Sequence, residues 1–113
     1  MTTPTQNKPL VQSKTLETSQ TTQYTVDALR ASIDKATATN TTAGVLTVSV
    51  NLVPAGGAPD ASNLIAKAVS IAAGAAYTFP ELVGHVLATG DFISAIASGA
   101  GIAFRVSGRE TTS

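Results

Sequence analysis

His85 is the single histidine of the chain, and no cysteine accompanies it. A serine, histidine and acid triad would have to use His85 as its base. The surrounding Val83-Gly84-His85-Val86 carries no G-x-S-x-G elbow to present a nucleophile, so a surface or partly buried structural histidine is expected. One imidazole without thiolates also makes no ordinary zinc site. Seven carboxylates remain: Glu17, Asp27, Asp34, Asp60, Glu81, Asp91 and Glu110. Glycosidase chemistry needs two of them at a set separation, whereas these are scattered, several in turns where acidic residues cap backbone. Asp60 and Asp91 would make a calcium site only if their loops met, and turn capping is the expected use. Pro54 to Asp60 is glycine-rich but lacks the GK[ST] ending of a phosphate loop. Asn40-Thr41-Thr42 matches the glycosylation triplet; with no secretory signal read in the first residues, it is expected to be a polar turn. The expectation is a protein that is no enzyme and has no cofactor or metal residues.

The composition narrows the partners. Of 113 residues, 43% are hydrophobic and only 12% charged, and seven Lys+Arg balance seven Asp+Glu. A neutral chain offers no field to hold phosphates, so neither nucleic acid nor an anionic membrane surface is expected as a partner. The aromatics Tyr24, Tyr77, Phe79, Phe92 and Phe104 lie mostly in apolar phases and read as core, not as base-stacking platforms. The length fits one domain.

These side chains must be positioned by short segments separated by turns, the pattern of an all-β chain. In Val45 to Val53, Leu46, Val48, Val50 and Leu52 alternate with Thr47, Ser49 and Asn51, which predicts a half-buried strand. Ile102, Phe104 and Val106 alternate in the same way with Ala103, Arg105 and Ser107. Further strands are predicted near Asn63 to Ser70 and Ala76 to Phe79, the latter stopped by Pro80. Ala28 to Ala38 fits either a helix, with Leu29, Ile33 and Ala36 at helical spacing, or a strand, with Leu29, Ala31 and Ile33 alternating; the surrounding strands favour a strand. Asp91 to Ser98 is apolar on both faces, Phe92, Ser94 and Ile96 against Ile93, Ala95 and Ala97. Such a strand is covered on both sides, by a loop of its own chain or by a second subunit. Turns at 39–44, 54–60, 73–74, 89–91 and 99–101 imply six or seven strands after residue 22. The expected fold is an antiparallel β-sandwich or jelly roll over residues 22–113. Residues 1–21, polar and holding Pro4 and Pro9, are expected to form an extended N-terminal arm, too poor in apolar residues to order itself.

An ordered series of short pieces runs through most of the chain: Tyr24-Thr25-Val26, Asn40-Thr41-Thr42, Leu52-Val53-Pro54-Ala55-Gly56-Gly57, Asn63-Leu64-Ile65 and Ser70-Ile71-Ala72-Ala73-Gly74. It continues with Tyr77, Glu81-Leu82-Val83-Gly84-His85-Val86-Leu87, Gly90-Asp91 and Ser107-Gly108-Arg109-Glu110. In this order the pieces resemble small structural proteins of tailed bacteriophages. The chain departs from that pattern at Val26-Asp27-Ala28-Leu29-Arg30, where the family tends to have a Pro-Ala-Gly turn. The resemblance implies a β-sandwich subunit of a virion assembled in the bacterial cytoplasm, a capsid decoration or cement protein or a part of the neck, collar or tail. A receptor- or glycan-binding sandwich is the alternative outside that class.

The partners expected on this reading are copies of the same chain, a trimer being the first choice, and a major capsid protein or another virion protein. Two sets of contact residues are expected. Leu10, Val11 and Leu16 would anchor the arm on a neighbour, and Ile93, Ala95 and Ala97 would form the interface strand.

Overall fold

The computed structural model describes residues 5–112 and orders them into nine strands. These are β1 (Thr5–Thr15), β2 (Thr21–Thr25), β3 (Arg30–Asn40), β4 (Leu46–Val53), β5 (Leu64–Ile71), β6 (Ala76–Thr78), β7 (Val86–Ala88), β8 (Phe92–Ala97) and β9 (Ile102–Thr111). One sheet has the order β1-β9-β3-β6, with β7 also on β3, and the other has the order β2-β8-β4-β5. Every pairing is antiparallel. The chain changes sheet at each connection except β4 to β5 and β6 to β7, which makes the sandwich a jelly roll.

Alternation supplies the core. Val48 and Val50 on β4 and Ile102, Phe104 and Val106 on β9 are at most 1% exposed, as period-two patterning requires of strands with one face inward. Phe79, just past β6, packs edge-on against Phe104 at a centroid distance of 6.2 Å and against Tyr77 at 4.9 Å. Leu82 and Leu87, from the turn after β6 and from β7, are also buried.

Ala28 to Ala38 is mostly strand, and its double reading has a physical source. The β3–β9 register slips between Ile33 and Lys35. Ala31 and Ile33 face inward before the slip, and Ala36, Ala38 and Asn40 after it. One extra residue turns a spacing of two into a spacing of three, which imitates a helix. A second bulge interrupts β5, where Ala68 adopts φ 46° and its N–H takes a bond of 2.8 Å to Ser49 Oγ.

The expected arm is not free. β1 pairs with β9 from Thr5↔Thr111 to Thr15↔Ala103. Leu10, Val11 and Leu16 are 7%, 3% and 2% exposed within this chain's own core. An edge strand needs only one buried face and one neighbour, so eleven mostly polar residues are enough. Residues 1–4 of the expected arm lie outside the described residues.

Asn40 is the most deeply buried polar residue among the described ones, at 0% exposure. Its Nδ2 donates to Ile71 O at 2.9 Å and Gly44 O at 2.7 Å, and its Oδ1 accepts from Thr42 N at 2.9 Å and Thr42 Oγ1 at 2.7 Å. The side chain therefore caps the turn after β3 from beneath. Its amide nitrogen is engaged, not presented.

Candidate functional site

The sites that chemistry would have used are taken up locally. Asp91 Oδ1 accepts from Ala55 N at 3.0 Å and its Oδ2 from Ala88 N at 2.9 Å. Asp60 Oδ1 accepts from the N and Oγ of Ser62 at 2.8 and 2.5 Å, which caps a single 3-10 turn at Ala61–Asn63. These bonds to Ser62 hold the Asp60 carboxyl below its usual range. Glu81 receives the Tyr77 hydroxyl at 3.1 Å. His85 sits at the surface, and its backbone rather than its ring works: its carbonyl accepts from Ile33 N at 3.0 Å. Among the described residues, no three His, Asp or Glu side chains converge.

What remains are the two outward sheet faces, and they differ. Six of the seven Lys and Arg lie on β1, β3 and β9: Lys8, Lys14, Arg30, Lys35, Arg105 and Arg109. Some are paired, Arg109 with Asp34 at 3.1 Å and Lys8 with Glu110 at 3.1 Å. The four strands β2, β8, β4 and β5 hold one charged side chain between them, Lys67. Their outward positions are Thr22, Thr25, Phe92, Ser94, Ile96, Thr47, Ser49, Asn51 and Ser70, set by the pairings Thr47↔Ser70, Ser49↔Ile96 and Asn51↔Ser94.

Part of this face is covered by the chain itself. Asn51 Nδ2 donates to Asp60 O at 3.0 Å and to Asn63 Oδ1 at 2.7 Å, and Asn63 Nδ2 donates to Ala58 O at 2.9 Å. The loop from Pro54 to Asn63 is thereby latched over Asn51 and Val53, which are 4% and 1% exposed. Gln20 reaches in from the opposite side and donates to Ser94 Oγ at 2.7 Å. Between these covers lies an open depression of about 480 Å³ bordered by Ser49, Leu64, Lys67, Ala68 and Ile96. It is open and mostly apolar, and Asp60 and Lys67 are the charged residues on its border.

The segment expected to carry an interface is a strand, β8, but the residues expected to face a neighbour face inward. Ile93, Ala95 and Ala97 are 0%, 0% and 1% exposed and point into the sandwich. Their partners across β4 are Leu52, Val50 and Val48, the inward residues of that strand, and directly opposed residues share a face. Phe92 and Ile96, half-buried, take the outward side.

A polar bridge joins the sheets at one edge. The Tyr24 hydroxyl of β2 donates to Glu110 Oε2 of β9, and Lys8 of β1 pairs with Oε1. Burial, then the Glu110 carboxylate, pushes the Tyr24 phenol well above its ordinary range. The Tyr24 hydroxyl, then Lys8, holds Glu110 low.

No protein-family model matches the chain, and no curated protein matches it. A solved structure described by the words "Bacillus endospore appendages form a novel family of disulfide-linked pili" has a similar fold, with TM-score 0.57 and 13% sequence identity over 100% of this chain and 93% of that one.

Proposed function

We propose that this chain is a structural subunit that works by lying against copies of itself and against a larger particle, as a decoration or cement protein on the capsid of a tailed phage. The observation that supports this is the outward face of the β2-β8-β4-β5 sheet, whose four strands carry Lys67 as their one charge. A face of Thr, Ser, Ile and Phe loses little solvation of charge when covered, so a modest contact repeated by symmetry suffices. The ordered resemblance from Tyr24 to Glu110 supplies the virion setting, with neck, collar or tail as the other positions in it.

The similar fold among endospore pili favours a second reading, a subunit of a fibre. Those pili are described as disulfide-linked, and this chain has no cysteine. Such a fibre would be joined by non-covalent contacts alone. Electron microscopy of the assembled protein separates a closed shell or ring from a filament.

The test of the common premise is charge on the outward face. Ile96→Glu should leave the circular dichroism spectrum unchanged and weaken both self-association and attachment to purified particles by about tenfold or more, the cost of desolvating one unpaired charge. Undiminished association and attachment would return this face to solvent and remove the support for the reading.

A further inference from the structure

We propose that β1 is exchanged between copies, so that Thr5–Thr15 of one chain completes the sheet of the next by lying against β9. The proposal rests on the assembly reading above and specifies how copies are linked.

Four observations carry it. First, among the described residues β1 is an outer strand with β9 as its one ladder partner, so it can leave without breaking another ladder. Second, the remaining edges are poor acceptors. β2 has five residues, β5 is kinked at Ala68, and β6 and β7 have three residues each, whereas the β1–β9 ladder runs ten residues through two register shifts. Short and kinked edges resist strand addition. The edge of β9, ten residues long, is left as the acceptor, and β1 is the strand that fits it.

Third, the fit is keyed. A Cβ on Gly108 would lie 2.1 Å from Ser32 O and 2.9 Å from Leu10 Cδ1. Glycine at this position lets β3 and β9 approach and leaves room for the Leu10 methyl. The Lys8 to Glu110 pair adds a second fixed point two residues away. These contacts set the register of β1 whether it arrives from its own chain or from another.

Fourth, a hinge is present. Leu16 N donates to Ile102 O at 2.8 Å and Glu17 O accepts from Ala97 N at 3.0 Å, after which Thr18 and Ser19 form an exposed bend ahead of Gln20. Straightening Thr18 to Gln20 gives about 10 Å of reach and releases the Gln20 bond to Ser94. All contacts of β1 are the same in the closed and exchanged forms, so the balance between them lies in this hinge and in concentration.

The absence of cysteine makes the test clean. Asn7 and Arg109 are exposed register partners. Asn7→Cys and Arg109→Cys, prepared as two separate full-length chains with a short tag on one, are mixed in denaturant, refolded together at high concentration and oxidised. Exchange predicts a mixed disulfide dimer, identified by mass and lost on reduction, in about tenfold or greater excess over an off-register control of Asn7→Cys with Ser70→Cys, because a held pair has a millimolar effective concentration. Equal yields in both mixtures, or no mixed dimer while light scattering reports oligomers, would overturn exchange and leave the assembly reading standing. No mixed dimer and a monomeric mass would overturn both.

Discussion

Replacing Asn40 with alanine isolates the polar plug of the interior. The side chain is 0% exposed and makes four hydrogen bonds. After truncation, Ile71 O, itself interior, is left without its partner, which costs about 1–3 kcal/mol. Gly44 O, Thr42 N and Thr42 Oγ1 lie nearer the surface, where water replaces the lost partner, and the net loss there is about 0.5 kcal/mol each. The total is about 2.5–4.5 kcal/mol, a large part of the stability of a domain this size. Urea unfolding followed by circular dichroism should show the midpoint falling with an unchanged slope, since the surface exposed on unfolding is the same. Asn40→Asp is the companion. It keeps the shape but loses both donations and buries a charge at neutral pH, so it should be at least as unstable as Asn40→Ala there and should recover in part when acidified. A loss below about 0.5 kcal/mol for Asn40→Ala would mean that water already serves this turn, and the reasoning would fail.

Deleting residues 5–16 removes Leu10, Val11 and Leu16 from the core, a loss on the order of 8 kcal/mol, so the shortened chain should be unfolded by circular dichroism; a folded product would restore the idea of a dispensable arm. Acid stability should depend on Glu17, whose carboxyl is brought down to about 2 by the Lys14 ammonium at 2.7 Å and then the Gln23 amide at 3.0 Å. A carboxyl lowered by folding stabilises above its ordinary 4.5 and loses that contribution as the pH falls towards 2, so pH-dependent unfolding should show a decline across this window that Glu17→Gln flattens.

The firmest strands were readable because one face was polar. Leu46, Val48, Val50 and Leu52 against Thr47, Ser49 and Asn51 leave one assignment for inside and outside, and so do Ile102, Phe104 and Val106. β8 has no polar face, and alternation finds such a strand without saying which side is in. Its phase came from register, since Ala95 stands opposite Val50. β3 was blurred by a bulge, which breaks the period on which the reading depends, whereas β5 was readable as a strand in spite of one. β7 was missed as a strand because three residues carry no period. β1 looked like an arm because its composition cannot support a fold by itself, but stability here is shared with β9, and composition does not record a neighbour. The latch of Asn51 on Asn63 was hidden for the related reason that a polar residue on an outward face looks solvated until a loop is placed over it.

The antiparallel β1–β9 ladder sets how the molecule responds to force. The Thr5 and Thr111 hydroxyls are 3.2 Å apart, so the described ends of the chain meet at one corner. A pull on both ends of a single closed copy opens this ladder from that corner, breaking its hydrogen bonds one after another like a zip. A β1 donated to another copy is instead drawn along its length from the Thr15 end, and the bonds of the ladder carry the load together. The same contacts that peel easily within one molecule thus become a strong link when they join two.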